Sequence, residues 1–347
     1  MSNLPPSGEI PRGAIRFNTD SNKPELWDGS QWAEFQLSTP NLASAGDTQP
    51  GVRGVFMGGL NPSVTNRVDY VNIESTGNAI DFGNLTQARY GRATASRTRA
   101  LCGSGQTPGY TDRIDFITIA STGDATDFGN QSVSTFEGGA TGNETRGLFA
   151  GGYGPSPLKS TDTIDYVTIA STGNAVDFGN LTFGGWGTRG CGSPTRGLFG
   201  SGYTVTPASS SIVVNNIINF VTIATLGDAQ DFGDLAERRA VAASASNAVR
   251  GVWMGGTGTS SPYAAQSEIQ YVTIASTGNA TLFGDLANAM KHSGACSSRT
   301  RALSGGSPSS TEISYIEIMT TGDSVDFGDL SEARYGPGGT SNGHGGL

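Results

Sequence analysis

Histidine occurs only twice in the 347 residues, at His292 and His344, and cysteine three times, at Cys102, Cys191 and Cys296. With no HxH or HExxH and no CxxC, the chain lacks the ligand sets of zinc and of a copper site that needs two histidines and a tyrosine. It equally lacks the partners of a Ser-His-Asp triad. No catalytic metal and no cofactor are expected. An odd number of scattered cysteines reads as small, buried, reduced side chains rather than a disulfide framework. Basic charge is also scarce: 21 Lys and Arg stand against 30 Asp and Glu, a formal charge of -9. Such a surface repels phosphates, and no basic run with interleaved aromatics offsets it, so nucleic acid is not an expected partner. Eighteen apolar residues never run together, and the opening MSNLPPSGEIPRG has no apolar core of a leader. Membrane insertion is therefore not expected, and the expectation is a soluble protein made in a cytoplasm.

What is abundant is glycine, 52 residues, falling on a schedule. From residue 53 onward one pattern recurs six times: an Arg, a short apolar run, a Gly pair, then a segment close to (I/V)xYVTIxSTGxAxDFGxL. The arginines are Arg53, Arg99, Arg146, Arg196, Arg250 and Arg301. The strand aromatic (Tyr70, Phe116, Tyr166, Phe220, Tyr271, Tyr315) precedes a turn Gly by seven residues every time, and the Phe of DFG follows that Gly by five. Only the step from Arg to aromatic varies, from 14 to 24 residues. A segment changes length freely where its backbone is solvated, so this loop belongs at the surface while the rest is locked by packing.

A period near 50 residues with four strand signals predicts an all-β fold, a six-bladed β-propeller of four-stranded blades. In the second copy, residues 91–96 are small side chains, 99–103 an apolar run, 114–120 a β-branched and aromatic run, and 125–131 the last strand after a turn at 121–124. The small-residue strand is expected innermost, where bulky groups would collide. Both faces of the third strand carry apolar groups, as required when sheets stack face to face. No second-strand signal follows residues 337–342, so these are expected to close the ring beside the Arg53 strand, with residues 45–50 as the competing candidate. The predicted boundaries are 1–37 for an N-terminal β module, 38–52 for a linker and 53–347 for the propeller. In the module, residues 14–18, 25–27 and 31–35 read as strands, with Asp28-Gly29 as a hairpin turn. So short a segment buries little alone, and Trp27, Trp32 and Phe35 are expected to pack against the propeller or another chain.

The Gly pair and the repeat period resemble kelch-type propellers, with the Phe of DFG standing where the kelch fourth strand usually carries Trp. The segment GAIRFNTDSNKPELWDGSQWAEF, residues 13–35, resembles a short β motif of tail fibre and other virion proteins of tailed bacteriophages. The whole pattern is similar to repeat-containing virion structural proteins of marine phages. The resemblance implies a non-enzymatic tail fibre or appendage subunit located in the virion. Its residues 1–37 would dock on other virion proteins or on further copies of the chain, as in a trimer, and its propeller would meet a host-surface glycan or protein receptor. A capsid decoration or cement protein and a cellular kelch-type scaffold are the other readings of the same architecture.

DFG is also the magnesium motif of protein kinases, but no Gly-rich loop and no HRD accompany it here. The structural reading places its Phe in the core and pairs Asp81, Asp127, Asp177, Asp231 and Asp326 with the recurring arginines, leaving one Arg unpartnered where Leu282 replaces Asp. The sharper reading is a ring of six arginines that binds an anion near the axis. Two carboxylates suffice for a glycan-processing glycosidase, and Asp112, Glu137, Asp162, Glu237 and Glu268 are available, though none is marked out by its neighbours. The six variable loops, 60–67, 106–113, 153–163, 203–217, 257–268 and 307–312, should emerge on one face as a recognition surface. Tyr110, Tyr153, Tyr203 and Tyr263 lie on them, suited to sugar stacking or protein contact; the plainer reading is that they cover the blade tops. Trp186 falls in a link between blades, as core or as rim.

Overall fold

A computed structural model describes residues 10–18, 23–34, 52–155, 160–205, 212–259 and 263–347. The chain divides into two compact units, Met1–Gln49 and Pro50–Leu347.

In the first unit, Ile15–Asn18, Lys23–Trp27 and Trp32–Glu34 form an antiparallel sheet in that order. Asp28-Gly29 turns the second hairpin: the Asp28 carboxylate accepts from the backbone N–H of Ser30 (2.7 Å) and Gln31 (2.8 Å), and Gly29 takes φ 102°. Those hydrogen bonds to Gln31 and Ser30 hold the Asp28 carboxyl below its ordinary range. Trp27 and Trp32 are cross-strand partners with ring centroids 5.4 Å apart, and the Arg16 guanidinium lies 4.2 Å from the Trp32 ring while bridging to Glu25 at 2.6 Å. Two of the expected docking aromatics thus meet each other. Phe35 and residues 38–51 of the linker lie outside the described residues.

The second unit is all-β and propeller-like, with six four-stranded antiparallel sheets. Each runs from a small-residue strand to the short DFG strand; one such sheet is Gly139–Gly142, Arg146–Gly152, Thr161–Thr168 and Val176–Asn180. The first strands Tyr90–Ala95, Gly139–Gly142, Arg189–Gly192, Ala243–Ser246, Gly294–Ser297 and Gly338–Ser341 touch one another in a closed cycle, which places them innermost as their side chains dictate. Gly338–Ser341 pairs with Arg53–Leu60, so the first sheet takes its inner strand from residues 338–341. The three thiols are free and buried, and burial pushes all three pKa values up.

A second closed cycle runs around the rim. The turn glycine of each repeat donates its N–H to the carbonyl of the preceding DFG Phe: Gly123 to Phe82, Gly173 to Phe128, and finally Gly77 to Phe327, each at 2.8 Å. The DFG glycine is required by this contact, because a Cβ at Gly129 would collide with the Gly173 carbonyl. The Phe side chains themselves are buried between sheets and meet the third-strand aromatic edge-on, as Phe178 meets Tyr166 at 6.0 Å.

The recurring arginines do not pair with the DFG aspartates. All six stack on the aromatic of their own repeat, at 4.6 Å for Arg53 on Tyr70, 4.7 Å for Arg99 on Phe116, 4.9 Å for Arg146 on Tyr166, 5.0 Å for Arg196 on Phe220, 4.3 Å for Arg250 on Tyr271 and 4.6 Å for Arg301 on Tyr315. Each also donates to the carbonyl of the residue just after the third strand of the next sheet, from Arg53 to Ile119 through to Arg301 to Ile73. Arg250, in the repeat where Leu282 replaces Asp, behaves like the others. The reading of an anion-binding ring near the axis fails for the same reason: these side chains are committed to rings and carbonyls between sheets. Asp81, Asp127, Asp177, Asp231 and Asp326 are exposed on the outermost strands. Negative charge on a short bulged strand deters pairing with a foreign strand, so they protect the sheet edge.

The buried carboxylates lie elsewhere. Asp69 and Asp115, on third strands, form ion pairs with Arg334 (3.0 Å) and Arg89 (2.9 Å), all four side chains fully buried. Both carboxylates also accept from a hydroxyl two residues past a DFG strand, Ser331 and Thr86.

Candidate recognition site at the axial mouth

In a four-stranded meander the links into the innermost strands and the loops between second and third strands emerge at the same end. Bridges between the two confirm it: Leu60 with Tyr335, Phe136 with Tyr153, and Ala240 with Thr257. The variable segments are more regular than expected. Residues 106–113 are mostly strand, since Arg99–Gln106 and Tyr110–Thr118 extend a ribbon toward this end, and Tyr110 heads a strand rather than sitting on a loop. Residues 203–217 contribute Tyr203–Val205 and Ile212–Val214, which make a small sheet with Gly185–Trp186.

The structure gathers the four candidate tyrosines into a longer run of rings. Tyr335 meets Tyr90 (5.8 Å), Tyr90 meets Phe136 (6.3 Å), and Phe136 stacks on Tyr110 (5.5 Å) and meets Tyr153 (5.7 Å). Tyr153 then meets Trp186 (5.3 Å), Trp186 stacks on Tyr203 (5.4 Å), and Tyr203 meets Tyr263 (5.9 Å). Tyr90 and Trp186 are buried in this arc, Tyr110 is exposed, and the others are half-buried. Aromatic pairs at such spacings add about 0.5–1.5 kcal/mol each beyond area burial, so the arc is a rigid surface.

Sequence reasoning missed the ring-bearing links, although a signal existed. Tyr90, Phe136, Trp186 and Tyr335 each stand eight residues after the Phe of DFG. In five of the six links the residue after this position turns the chain into the innermost strand in the left-handed region: Glu137 at φ 54°, Gly187 at 71°, Val241 at 53°, His292 at 56° and Gly336 at 70°. Non-glycine residues there carry strain of about 1–3 kcal/mol, which surrounding packing must hold.

Two of these strained residues meet. The Tyr90 hydroxyl lies 2.8 Å from Glu137 Oε1 and 2.9 Å from His292 Nδ1, and His292 Nδ1 lies 3.1 Å from Glu137 Oε1. Burial alone would raise the Glu137 carboxyl, but the hydrogen bond and charge of His292, the charge of Arg189 and the Tyr90 hydroxyl hold it below its ordinary value. Burial and the Glu137 charge push the Tyr90 phenol well above its ordinary value. Tyr90 and Glu137 line an axial cavity of about 50 Å³ together with Arg92, Arg189, Ser244, Ser293 and backbone of the six inner strands. Arg92 is committed, donating to the Ala150 (3.3 Å) and Gly151 (2.9 Å) carbonyls, Gln131 Oε1 (2.7 Å) and Thr135 Oγ1 (3.1 Å). At the other end of the inner strands His344 packs on Ala95, with Nε2 2.6 Å from its carbonyl oxygen.

The glycosidase candidates are dispersed. Glu137 is the one carboxylate lining the cavity, and Glu268 is taken by Arg239 at 2.6 Å. Among the described residues no three His, Cys, Asp or Glu side chains come together as metal ligands. No protein-family model matches the chain, and no curated protein matches it.

Proposed function

We propose that the chain is a non-enzymatic recognition subunit of a phage virion, a tail fibre or appendage protein whose propeller-like unit binds a glycan on the host surface. Residues 1–37 dock it on other virion proteins or on further copies of itself. The observation that carries the reading is the run of rings from Tyr335 to Tyr263, of which Tyr90 also lines a polar axial cavity. Rigid aromatic faces stack on the C–H faces of sugars at small entropic cost, and polar groups beside them accept and donate to hydroxyls. Binding is favoured over hydrolysis by chemistry at the same place. Two-carboxylate hydrolysis needs an acid and a second carboxylate, whereas the cavity offers Glu137 already bonded to Tyr90 and His292. A phenol as weakly acidic as Tyr90 does not ionise to act as a nucleophile near neutral pH.

The test is binding of the full-length chain to a glycan array, beside Tyr153→Ala and Tyr110→Ala. Loss of one stacked ring should weaken binding about tenfold while a denaturation midpoint records that the fold persists. No glycan bound, or equal binding by both variants, refutes the glycan reading. Antibody labelling of intact particles in the electron microscope tests the setting, and absence of the protein from the virion refutes it.

A further inference from the structure

We infer that the axial mouth is a subsite for a carboxylate-bearing sugar, with Arg189 as the residue that grips the carboxylate. The inference rests on the glycan-binding reading and names its ligand class. Arg189 heads an inner strand, is half-exposed and lines the cavity. Its partners set it apart from the other arginines near the axis. Arg89 and Arg334 are neutralised by Asp115 and Asp69, Arg239 by Glu268, and Arg92 is spread over two carbonyls, an amide and a hydroxyl. Arg189 donates to the carbonyl of its own neighbour Thr188 at 3.0 Å and its side chain also bonds the Tyr90 hydroxyl, but among the described residues it has no carboxylate in a salt bridge. A guanidinium has five N–H donors in a planar fork that matches a carboxylate, so with Thr188 and Tyr90 served part of this fork remains for a ligand.

Charge and size agree. The cavity lining carries Arg92 and Arg189 against Glu137 alone, a local excess of one positive charge in a chain of net charge -9. Glu137 Oε1 already lies 2.8 Å from the Tyr90 hydroxyl and 3.1 Å from His292 Nδ1, and the Arg189 charge already acts on both Tyr90 and Glu137. A volume of about 50 Å³ admits a single small polar group rather than a whole ring. The sugar body would then lie on the half-buried rings of Tyr335 and Phe136, with its carboxylate pointing down the axis. No bond is made or broken.

The experiment titrates the full-length chain with tetragalacturonate, an alginate tetramer, a hyaluronan tetramer and sialyllactose, each beside its carboxyl methyl ester, with maltotetraose as the neutral control. The expected result is at least one acid bound about tenfold more tightly than its ester, equivalent to about 1.4 kcal/mol. Arg189→Gln should erase that preference, and Arg189→Lys should restore part of it by returning the charge without the fork. Both variants should unfold at the wild-type urea midpoint. Equal affinity for acid and ester in every pair, or a preference that survives Arg189→Gln, overturns the inference. A sulfated tetramer bound as tightly as the best carboxylate also overturns the stated chemistry. Maltotetraose binding that Tyr153→Ala weakens, without any acid preference, leaves glycan recognition standing while this subsite falls; no binding by any probe removes both.

Discussion

Replacing Arg146 separates two accounts of the repeat, because its ring partner and its supposed acidic partner are different residues. Arg146 lies 4.9 Å from the Tyr166 ring centroid and donates to the Ile223 carbonyl of the next sheet at 2.8 Å. A cation over an aromatic face is worth about 0.5–1 kcal/mol when exposed and about 2 when desolvated. A charged donor to a carbonyl adds about 1.5 kcal/mol at the low end suited to a half-buried group. Arg146→Met should therefore destabilise by about 2–3 kcal/mol. Asp177 is exposed and sits opposite the buried Asp165, so Asp177→Asn should change stability by no more than about 0.5 kcal/mol. The assay is urea denaturation of both single variants, the double variant, and the matching cycle with Tyr166→Leu. Coupling of about 1 kcal/mol is expected between Arg146 and Tyr166 and almost none between Arg146 and Asp177. Coupling above about 0.5 kcal/mol in the second cycle would refute the stacking account and restore the ion pair.

Asp115→Ala should cost about 3–5 kcal/mol, because it leaves Arg89 charged and buried; the double replacement Arg89→Met with Asp115→Leu should recover much of this loss in the same denaturation assay. Stability should also fall on acidification below about pH 6.5, the ordinary His value, through His344. Burial lowers its pKa and the Ala95 carbonyl only partly opposes this. The folded protein keeps His344 neutral while the unfolded chain takes up a proton, so the loss begins near the unfolded value and is complete below the lowered folded one. Urea midpoints between pH 7.5 and 5 should show this slope, and His344→Gln should flatten it.

The repeat's fixed spacings made the sheets legible: the small-residue strand, the Arg-led strand, the buried Phe of DFG and closure by residues 338–341 all follow from lengths and side-chain size. Direction was not legible. Arg146 pairs in register with Thr168, which puts Tyr166 diagonally beside it, whereas Asp177 sits on the strand beyond, two strand spacings (about 9–10 Å) across the sheet and three residues further along it. Opposite charges at regular intervals suggested a contact that the sheet's width forbids. The axial cluster was hidden for another reason. Tyr90, Glu137 and His292 come from three repeats and two different repeat positions, so averaging the copies suppresses them. Only the ring closure brings residues 90 and 292 together.

That closure has a consequence for biosynthesis. The Arg53 strand receives its inner neighbour from residues 338–341, so the first sheet emerges from the ribosome with one edge bare. At about 5–20 residues per second, roughly 15–60 s pass before the clasp is synthesised. During that interval the nascent chain exposes a glycine-rich edge, with Arg53 its one charged residue, to every neighbouring polysome product. Cells that make this protein in quantity therefore face a timing problem that ends only when the last segment snaps into place, and chaperone demand should track translation speed rather than final stability.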